Sequence, residues 1–245
     1  FQVELDWMRS FIDTEIIPIE PVLDELSRAE IAPVLELLRS KVKARGLWGA
    51  FLDPSLGGQG FGQLKLALMS EQIGRSMFSM LVFGVQAPDS GNMELMAHGA
   101  TDAQKERWLW PNLRGEITSA FALTEPFNAG ADPTKISTTA VRDGDEWVID
   151  GHKWFITNAS SADITLVFAE TNPENRPHKH ASIIVVPAGT PGMDVVRDVG
   201  TMSHPKPEFG RPGGHAEVIF RECRVPLDHM IGNPGDGFVL AQKRL

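Results

Sequence analysis

The sequence predicts an α+β protein in which an N-terminal α-helical domain precedes an antiparallel, barrel-like β-domain. Three observations support this class. Apolar residues recur at three- and four-residue spacing up to about residue 116, short β-branched runs follow from Ser119, and a helical pattern returns at Gly237. We expect a helical domain at residues 1–117, a β-domain at 118–230, and the start of a further helical domain at 231–245.

The helical domain is indicated by apolar stripes that lie between turn residues. Pro18 and Pro21 are expected to end the first helix, because proline cannot donate a backbone hydrogen bond, and Gly46 is expected to end the second. Thr101 and Gln104 have the spacing of a capping box, which predicts a later helix start. The stripes are Leu5, Met8, Phe11, Ile12 and Ile16; Ile31, Val34, Leu35, Leu38 and Val42; Leu64, Ala67, Leu68 and Ile73; and Met93, Leu95 and Met96.

The β-domain is indicated by short β-branched runs that alternate with turn signals. Asp143-Gly144 and Asp150-Gly151 favour tight hairpin turns, so each pair is expected to separate two strands. The polar stretch 171–180 and the Pro/Gly-rich stretch 203–214 are expected to be exposed connections. The predicted strands are 136–142, 147–149, 153–157, 164–169, 182–186, 193–196 and 216–220.

Composition excludes several classes of function. The net charge is −9 and the basic residues are scattered, which argues against a nucleic-acid binder. The single cysteine, Cys223, permits no intrachain disulfide and suits a reducing compartment. No apolar run reaches the roughly 18 residues of a membrane span. We therefore expect no membrane span and a cytoplasmic location, or the mitochondrial matrix or peroxisome in a eukaryote. The chain starts at Phe1 and stops as a helix begins, so both ends look cut.

Several local patterns suggest chemistry that the spacing does not support. The Gly-rich piece 57–62 lacks the spacing of a nucleotide loop and reads as a connection between helices. Glu125 and Asp132 form a candidate carboxylate pair for glycoside hydrolysis, but Pro126 and Gly130 between them favour a turn. His178 and His180 lie in a polar loop without further converging ligands, so we assign no metal site.

The richest chemistry lies in the segments 121–132 and 151–158. They offer two strand ends joined to turns, with the hydroxyls of Thr124 and Thr157 and the aromatic ring of Phe155 nearby. A flavin requires such features: hydrogen-bond donors, a flat apolar neighbour and a hydroxyl close to its reactive nitrogen. These residues alone leave open the simpler interpretation, in which the strands merely pack.

The order of these motifs resembles the acyl-CoA dehydrogenase family. Thr124-Glu125-Pro126, then Gly130-Ala131-Asp132, then residues 151–158 are similar to its signature of Thr-Glu-Pro, Gly-Ser-Asp and Asn-Gly-x-Lys-x-Trp-Ile-Thr-Asn. Residues 86–94, 213–218 and 225–238 resemble stretches of one branch of that family, in which the Thr-Glu-Pro loop is also one residue longer. The resemblance covers nearly all of the chain in order.

The resemblance implies a three-part fold: a helical domain, a β-domain and a C-terminal four-helix bundle, of which this chain holds the first two. FAD is expected between the β-domain and the bundle. Phe155 would pack on one face of its ring, Thr157 would donate towards flavin N5, and Gly130 would lie near the pyrophosphate or the substrate thioester. The implied cofactor-binding residues are Phe121, Leu123, Thr124, Gly130, Ala131, Phe155, Ile156 and Thr157, and Ala131 is also implied to bind substrate.

Two residues depart from the family pattern. Many members have Ser where this chain has Ala131, and Trp where it has Phe155. A lost hydroxyl hydrogen bond costs roughly 0.5–1.5 kcal/mol, and Phe keeps an aromatic face without the indole N–H. The departures therefore affect the details of flavin and substrate contact rather than flavin binding itself.

The implied reaction is the α,β-dehydrogenation of an acyl-CoA thioester, which makes the protein an oxidoreductase acting on CH–CH bonds in fatty acid and lipid metabolism. In the family a bundle glutamate removes the α-proton while the β-hydride passes to flavin N5. That base would lie beyond Leu245, so no catalytic residue is assigned, and Glu125 is interpreted as a structural loop residue.

The implied partners are acyl-CoA, an electron-transfer flavoprotein or similar acceptor, and further copies of the chain in a homodimer or homotetramer. Three alternatives stay open at this point. They are an acyl-CoA oxidase or flavin monooxygenase of the same fold, a non-catalytic acyl-CoA-binding or scaffold protein, and a carbohydrate hydrolase that uses Glu125 and Asp132.

Overall fold

The fold is taken from a computed structural model that describes residues 1–56, 58–130, 132–202, 204–207, 209–210 and 213–243. Helices precede a mixed, largely antiparallel sheet, which confirms the predicted α+β class. Contacts divide the chain into two compact units, Phe1–Ser90 and Gly91–Leu245. This division differs from the domain boundary predicted at residue 117, because the helices after residue 90 group with the sheet. The predicted domain limits stay a prediction, since compact units and domains need not coincide.

The first helical segment of unit one continues past both of its prolines. Helix α1 (Gln2–Phe11) runs through a π-helical turn (Ile12–Ile16) and a 3-10 turn (Ile17–Ile19) into α2 (Glu20–Leu23). The prediction that Pro18 and Pro21 end the segment is therefore wrong. Each proline lies in the first two positions of a short helical turn, where its missing N–H has no intrahelical acceptor to lose.

The remaining helices of unit one are α3 (Arg28–Ala44), α4 (Gly62–Ile73) and α5 (Ser79–Phe83). Gly46 follows α3 with φ 73°, which confirms it as the stop of the second predicted helix. The stripe predicted for α4 faces the core only in part, since Leu64 is 78% exposed whereas Ile73 is buried. Helix α5 was not predicted. The unit-one core consists of Met8, Phe11, Ile12, Ile16, Leu23, Ile31, Leu35, Leu38, Val42, Leu47, Ala50, Met69, Ile73, Phe78, Val82 and Phe83.

Three helices accompany the sheet in unit two. They are α6 (Asp89–Gly99), whose first two residues belong to unit one, α7 (Asp102–Gln104) and α8 (Trp110–Arg114), with a π-helical turn at Lys105–Leu109 between the last two. The predicted capping box is confirmed, because the side chains of Thr101 and Gln104 each accept from the other's backbone N–H. A further helix, α9 (Gly237–Lys243), begins where the sequence indicates one. Within the described residues, no helix is both long and apolar enough to cross a bilayer.

The described residues contain an eight-stranded sheet. Its order is β6-β7-β3-β2-β4-β5-β8, with β1 added beside β4. Most neighbours are antiparallel, but β1 and β2 pair with β4 in parallel. The strands are β1 (Ser119–Ala122), β2 (Thr139–Asp143), β3 (Glu146–Thr157), β4 (Ile164–Glu170), β5 (Ala181–Pro187), β6 (Met193–Asp198), β7 (His215–Pro226) and β8 (Met230–Ile231).

One predicted turn is a continuous strand in the structure. Asp143-Gly144 does turn the chain between β2 and β3, but Asp150-Gly151 lies inside β3 at a register shift opposite β7. Asp150 accepts a hydrogen bond from the backbone of Glu222 at 2.8 Å. A Cβ on Gly151 would lie 2.2 Å from the Thr138 hydroxyl oxygen. Asp150-Gly151 therefore suits a bulge and the close approach of the Thr138 side chain, and it does not form a hairpin turn.

Gln104 fastens the end of α7 to the strand β8. Its side-chain amide donates to the carbonyls of Asp228 at 2.6 Å and Met230 at 2.8 Å, while its oxygen accepts from Thr101 N at 2.9 Å. We expect Gln104→Leu to lower the free energy of unfolding by about 2 kcal/mol, because these buried polar groups lose their partner. Urea denaturation measures this change. The exposed Gln242 on α9 supplies the control, Gln242→Leu, with an expected change within about 0.5 kcal/mol; equal effects of the two changes would contradict the assignment.

Candidate functional site

The end of β1 is joined to the middle of β3 by a reciprocal pair of hydrogen bonds. The backbone N–H of Trp154 donates to the Thr124 carbonyl at 2.9 Å, and the Thr124 hydroxyl donates to the Trp154 carbonyl. The two segments singled out by the sequence therefore lie side by side. The hydroxyl proton of Thr124 is already used within the protein.

Beneath this junction lies a buried lysine. Lys153 is fully buried, and its ammonium donates to the carbonyls of Leu123 at 2.9 Å and Phe168 at 2.8 Å and to Glu125 Oε1 at 2.9 Å. An ammonium has three N–H donors, so every donor has an acceptor. Lys153 thus ties the end of β1, the following loop and β4 to one point of β3.

The carboxylate of Glu125, like the ammonium of Lys153, makes several hydrogen bonds at this junction. Oε1 accepts from the backbone and hydroxyl of Thr138 as well as from Lys153, and Oε2 accepts from Asn128 Nδ2 and from the backbone and hydroxyl of Ser137, all at 2.6–2.9 Å. These six hydrogen bonds close the loop 125–138 at its base. Glu125 therefore has the structural role that the sequence predicts for it.

The electrostatics keep this pair charged at neutral pH. Burial alone would raise the pKa of the Glu125 carboxyl, but the charge of Lys153 and the hydrogen bonds lower that pKa to about 2. Burial lowers the pKa of the Lys153 amine to about 8, because the attraction of Glu125 offsets only part of the desolvation. At pH 7 a carboxylate and an ammonium therefore face each other inside the protein.

Phe155 is placed on the surface by an irregularity in β3. The pairing of β3 with β7 shifts between Lys153 and Ile156, and Phe155 has φ 54°, in the left-handed region that a bulky residue rarely adopts. As a result, Lys153 and Ile156 are buried while Phe155 is 48% exposed. The Phe155 ring meets the Trp154 ring edge-on, with 5.1 Å between the ring centres. The strained backbone of Phe155 therefore leaves its aromatic side chain about half exposed.

The end of β3 is fixed to the start of β7 by side chains and backbone together. Thr157 Oγ1 lies 2.9 Å from His215 Nδ1. Asn158, buried and with φ 68°, donates its N–H to the Gly214 carbonyl and accepts from the Gly213 N–H, both at 2.8 Å. The hydroxyl of Thr157 therefore occupies a defined position two residues along from Phe155.

The loop between β1 and β2 begins and ends at the Glu125 hydrogen bonds described above. Phe127 is 86% exposed, its ring centre lies 5.8 Å from that of His152 in an edge-on arrangement, and Gly130 faces the methyl group of Thr124. Asp132 caps the 3-10 turn Pro133–Lys135 through Thr134. Ala131, predicted to contact both cofactor and substrate, lies outside the described residues.

The structure brings most of the predicted cofactor residues to one region of unit two. Leu123, Thr124 and Gly130 lie on the loop side, and Phe155 and Thr157 lie on the strand side. Two of the predicted side chains are buried, since Phe121 is buried in β1 and Ile156 is 1% exposed in the β-core. Any contact of Ile156 with a cofactor would therefore come from its backbone.

Three residues of the site were not identified from the sequence as functional. Lys153, Asn158 and His215 stand inside the recognised motifs, but their roles depend on partners that are distant in sequence. Glu125 lies 28 residues from Lys153, and Thr157 lies 58 residues from His215. The available signal was a lysine directly before the apolar run Trp154-Phe155-Ile156, because a lysine that is buried with such a run requires a paired charge.

Two alternative interpretations do not fit this geometry. A glycosidase needs one carboxyl group with a raised pKa, whereas hydrogen bonds from Thr134 lower the pKa of Asp132 and the pKa of Glu125 is lowered as well. Among the described residues, no cluster of His, Cys, Asp and Glu is arranged to hold a metal ion. His178 instead packs against the ring of Phe238, at 4.1 Å between ring centres.

Comparison with known proteins gives a consistent result along the chain. The family model described as "Acyl-CoA dehydrogenase, N-terminal domain" matches residues 4–116, and "Acyl-CoA dehydrogenase, middle domain" matches residues 120–218. The chain is 36% identical over 249 residues to the probable acyl-CoA dehydrogenase FadE2 of Mycobacterium tuberculosis, a match that covers 97% of this chain and 59% of that protein.

Solved structures agree with these matches. One from Mycobacterium abscessus, described as an acyl-CoA dehydrogenase, has a TM-score of 0.90 and 40% identity over 98% of this chain and 62% of its own. A chain from a structure named for the electron transferring flavoprotein of Acidaminococcus fermentans has a TM-score of 0.78 and 28% identity over 99% of this chain and 60% of its own. The chain thus spans about three fifths of the length of these proteins.

Proposed function

Because the chain belongs to the acyl-CoA dehydrogenase family, we propose that this protein catalyses the FAD-dependent α,β-dehydrogenation of an acyl-CoA thioester. The observation that carries the proposal is Phe155, a half-exposed aromatic ring held in a left-handed conformation between the Thr124–Trp154 junction and the Thr157 hydroxyl. An aromatic face and a fixed hydroxyl two residues apart suit the flat ring of a flavin and a hydrogen-bond acceptor at its edge.

The residues present fit FAD, and each has a limited task. Phe155 would pack against the ring, Thr157 would offer its hydroxyl near N5, and Gly130 would leave room for the cofactor or the thioester. Thr124 would contribute contact surface rather than its hydroxyl proton, which already bonds the Trp154 carbonyl. When bound, FAD would supply the acceptor for the β-hydride, which carries both of the electrons that leave the substrate.

No side chain of this chain is proposed as the catalytic base. Glu125, the one carboxylate in the junction, is held by six hydrogen bonds and has a pKa of about 2, which makes it a poor acceptor for an α-proton. We propose that the base comes from residues outside this sequence. The ion pair of Glu125 and Lys153 would serve instead to hold the flavin-facing loop in place.

The partners are part of the same proposal. An electron-transfer flavoprotein or similar acceptor would reoxidise the flavin, which agrees with the similarity to a chain from an electron transferring flavoprotein structure. A homodimer or homotetramer would complete the cofactor site, and a role in fatty acid metabolism follows from the substrate class. A single buried cysteine agrees with a reducing compartment, such as the cytoplasm or, in a eukaryote, the mitochondrial matrix or peroxisome.

The proposal is tested by anaerobic titration of the full-length protein with a panel of acyl-CoA thioesters. We expect the visible flavin absorbance to bleach with some thioesters and not with others, which would rank chain length and branching. A protein that neither retains nor takes up FAD would overturn the proposal in favour of a scaffold. Rapid reoxidation of the bleached flavin in air would instead assign an oxidase or monooxygenase of the same fold.

A further inference from the structure

His215 is the feature of the site that the proposed function does not yet use. It is the first residue of β7, it stands directly opposite Thr157, the last residue of β3, and its Nδ1 lies 2.9 Å from the Thr157 hydroxyl oxygen. Both side chains are half-buried. The paired residues thus form a defined contact at one end of the β3–β7 ladder.

The backbone holds His215 in place from both sides. The N–H of Val199 donates to the His215 carbonyl at 2.6 Å, and Asn158 bonds both Gly213 and Gly214 at 2.8 Å. These bonds fix the backbone of His215 beside Thr157. The hydrogen bond between them is a property of the fold rather than a chance surface contact.

Whether Nδ1 of His215 carries a proton determines whether the Thr157 hydroxyl can donate a hydrogen bond to a ligand. A hydroxyl has one proton to donate and two lone pairs with which to accept. If Nδ1 lacks a proton, Thr157 donates to His215 and has no proton left for a ligand. If Nδ1 carries a proton, His215 donates to the Thr157 oxygen, and the threonine proton is directed elsewhere.

The second hydroxyl of the site cannot replace Thr157, because Thr124 already donates to the Trp154 carbonyl. Nitrogen N5 of an oxidised flavin has a lone pair and accepts hydrogen bonds. We propose that His215, as the tautomer protonated at Nδ1, is a positioning residue that directs the Thr157 hydroxyl proton towards flavin N5. This inference rests on the proposed function.

The test measures the FAD dissociation constant and the visible spectrum of the bound flavin in full-length protein without substrate. Thr157→Val removes the hydroxyl, His215→Leu removes the donor behind it, and His215→Asn returns an N–H close to the position of Nδ1. We expect Thr157→Val and His215→Leu each to weaken FAD binding about 3- to 10-fold and to shift the flavin spectrum in the same way. The double variant should equal Thr157→Val, and His215→Asn should resemble the parent protein.

A merely structural histidine would give a different pattern. In that case His215→Leu would lower the unfolding temperature while the spectrum of the bound flavin stayed that of the parent, and this outcome would overturn the inference while the proposed function stands. Additive effects of Thr157→Val and His215→Leu would overturn it as well. A parent protein that binds no FAD at all would remove the proposed function and the inference with it. His215→Asn keeps the test decisive if the leucine variant fails to fold.

Discussion

Replacing Lys153 with methionine is expected to lower the free energy of unfolding by about 3–5 kcal/mol, because it leaves the carboxylate of Glu125 buried without a compensating charge. The change also removes the donor shared by the carbonyls of Leu123 and Phe168. Urea denaturation followed by tryptophan fluorescence measures the effect, since Trp147 and Trp154 lie in the same strand as Lys153.

Two matched variants show whether charge or packing is responsible. The double change Lys153→Met with Glu125→Gln removes both charges, so it should recover part of the lost stability even though it alters more atoms. Lys135→Met changes an exposed lysine in the same unit and should stay within about 0.5 kcal/mol of the parent protein. A loss below about 1 kcal/mol for Lys153→Met would show that water compensates the carboxylate, and that the pair does not fasten the junction.

The second large effect is a loss of stability in acid. Glu125 has a pKa of about 2 in the folded protein against an ordinary value of 4.5, so in this interval the unfolded chain binds the proton more readily. The contribution is fully present above pH 4.5 and is lost as the pH falls from 4.5 towards 2. Its size is about 3 kcal/mol, because each pKa unit corresponds to about 1.4 kcal/mol.

Unfolding free energies measured between pH 6 and pH 2.5 test this contribution. The variant with Gln at 125 and Met at 153 serves as the control, because it retains every other titrating group and lacks the buried pair. Its stability should fall less steeply between pH 4.5 and pH 2 than that of the parent protein. Parallel curves for the two proteins would assign the acid sensitivity to other carboxyl groups.

Local patterns in the sequence predicted much of the fold. The stripe from Met8 to Ile16 and the turn at Asp143-Gly144 were readable because neighbouring residues determine both. The turn predicted at Asp150-Gly151 was wrong, because the conformation of this pair depends on Glu222 and Thr138, which contact it only in the folded sheet. Local chemistry alone does not distinguish a two-residue turn from a bulge.

In the candidate site, too, local motifs were predictable from the sequence and contacts between distant residues were not. Motif order located the loop after β1 and the end of β3, and the structure places Thr124 beside Trp154. The sequence did not reveal that the Phe155 ring points outwards, since this follows from a register shift against β7. Nor did it reveal that His215 meets Thr157, since strand pairing alone brings them together.

The partners of Lys153 have a consequence for how this protein matures. They come from the residue that follows β1, from the loop after it and from β4, at separations of 30, 28 and 15 residues. An ammonium group does not leave water until all of its acceptors are in place. Loop 125–138 therefore closes only when the surrounding strands have assembled. Under the proposed function, a newly made chain would bind FAD only after this step, and incompletely folded chains would lack the absorbance of a bound flavin.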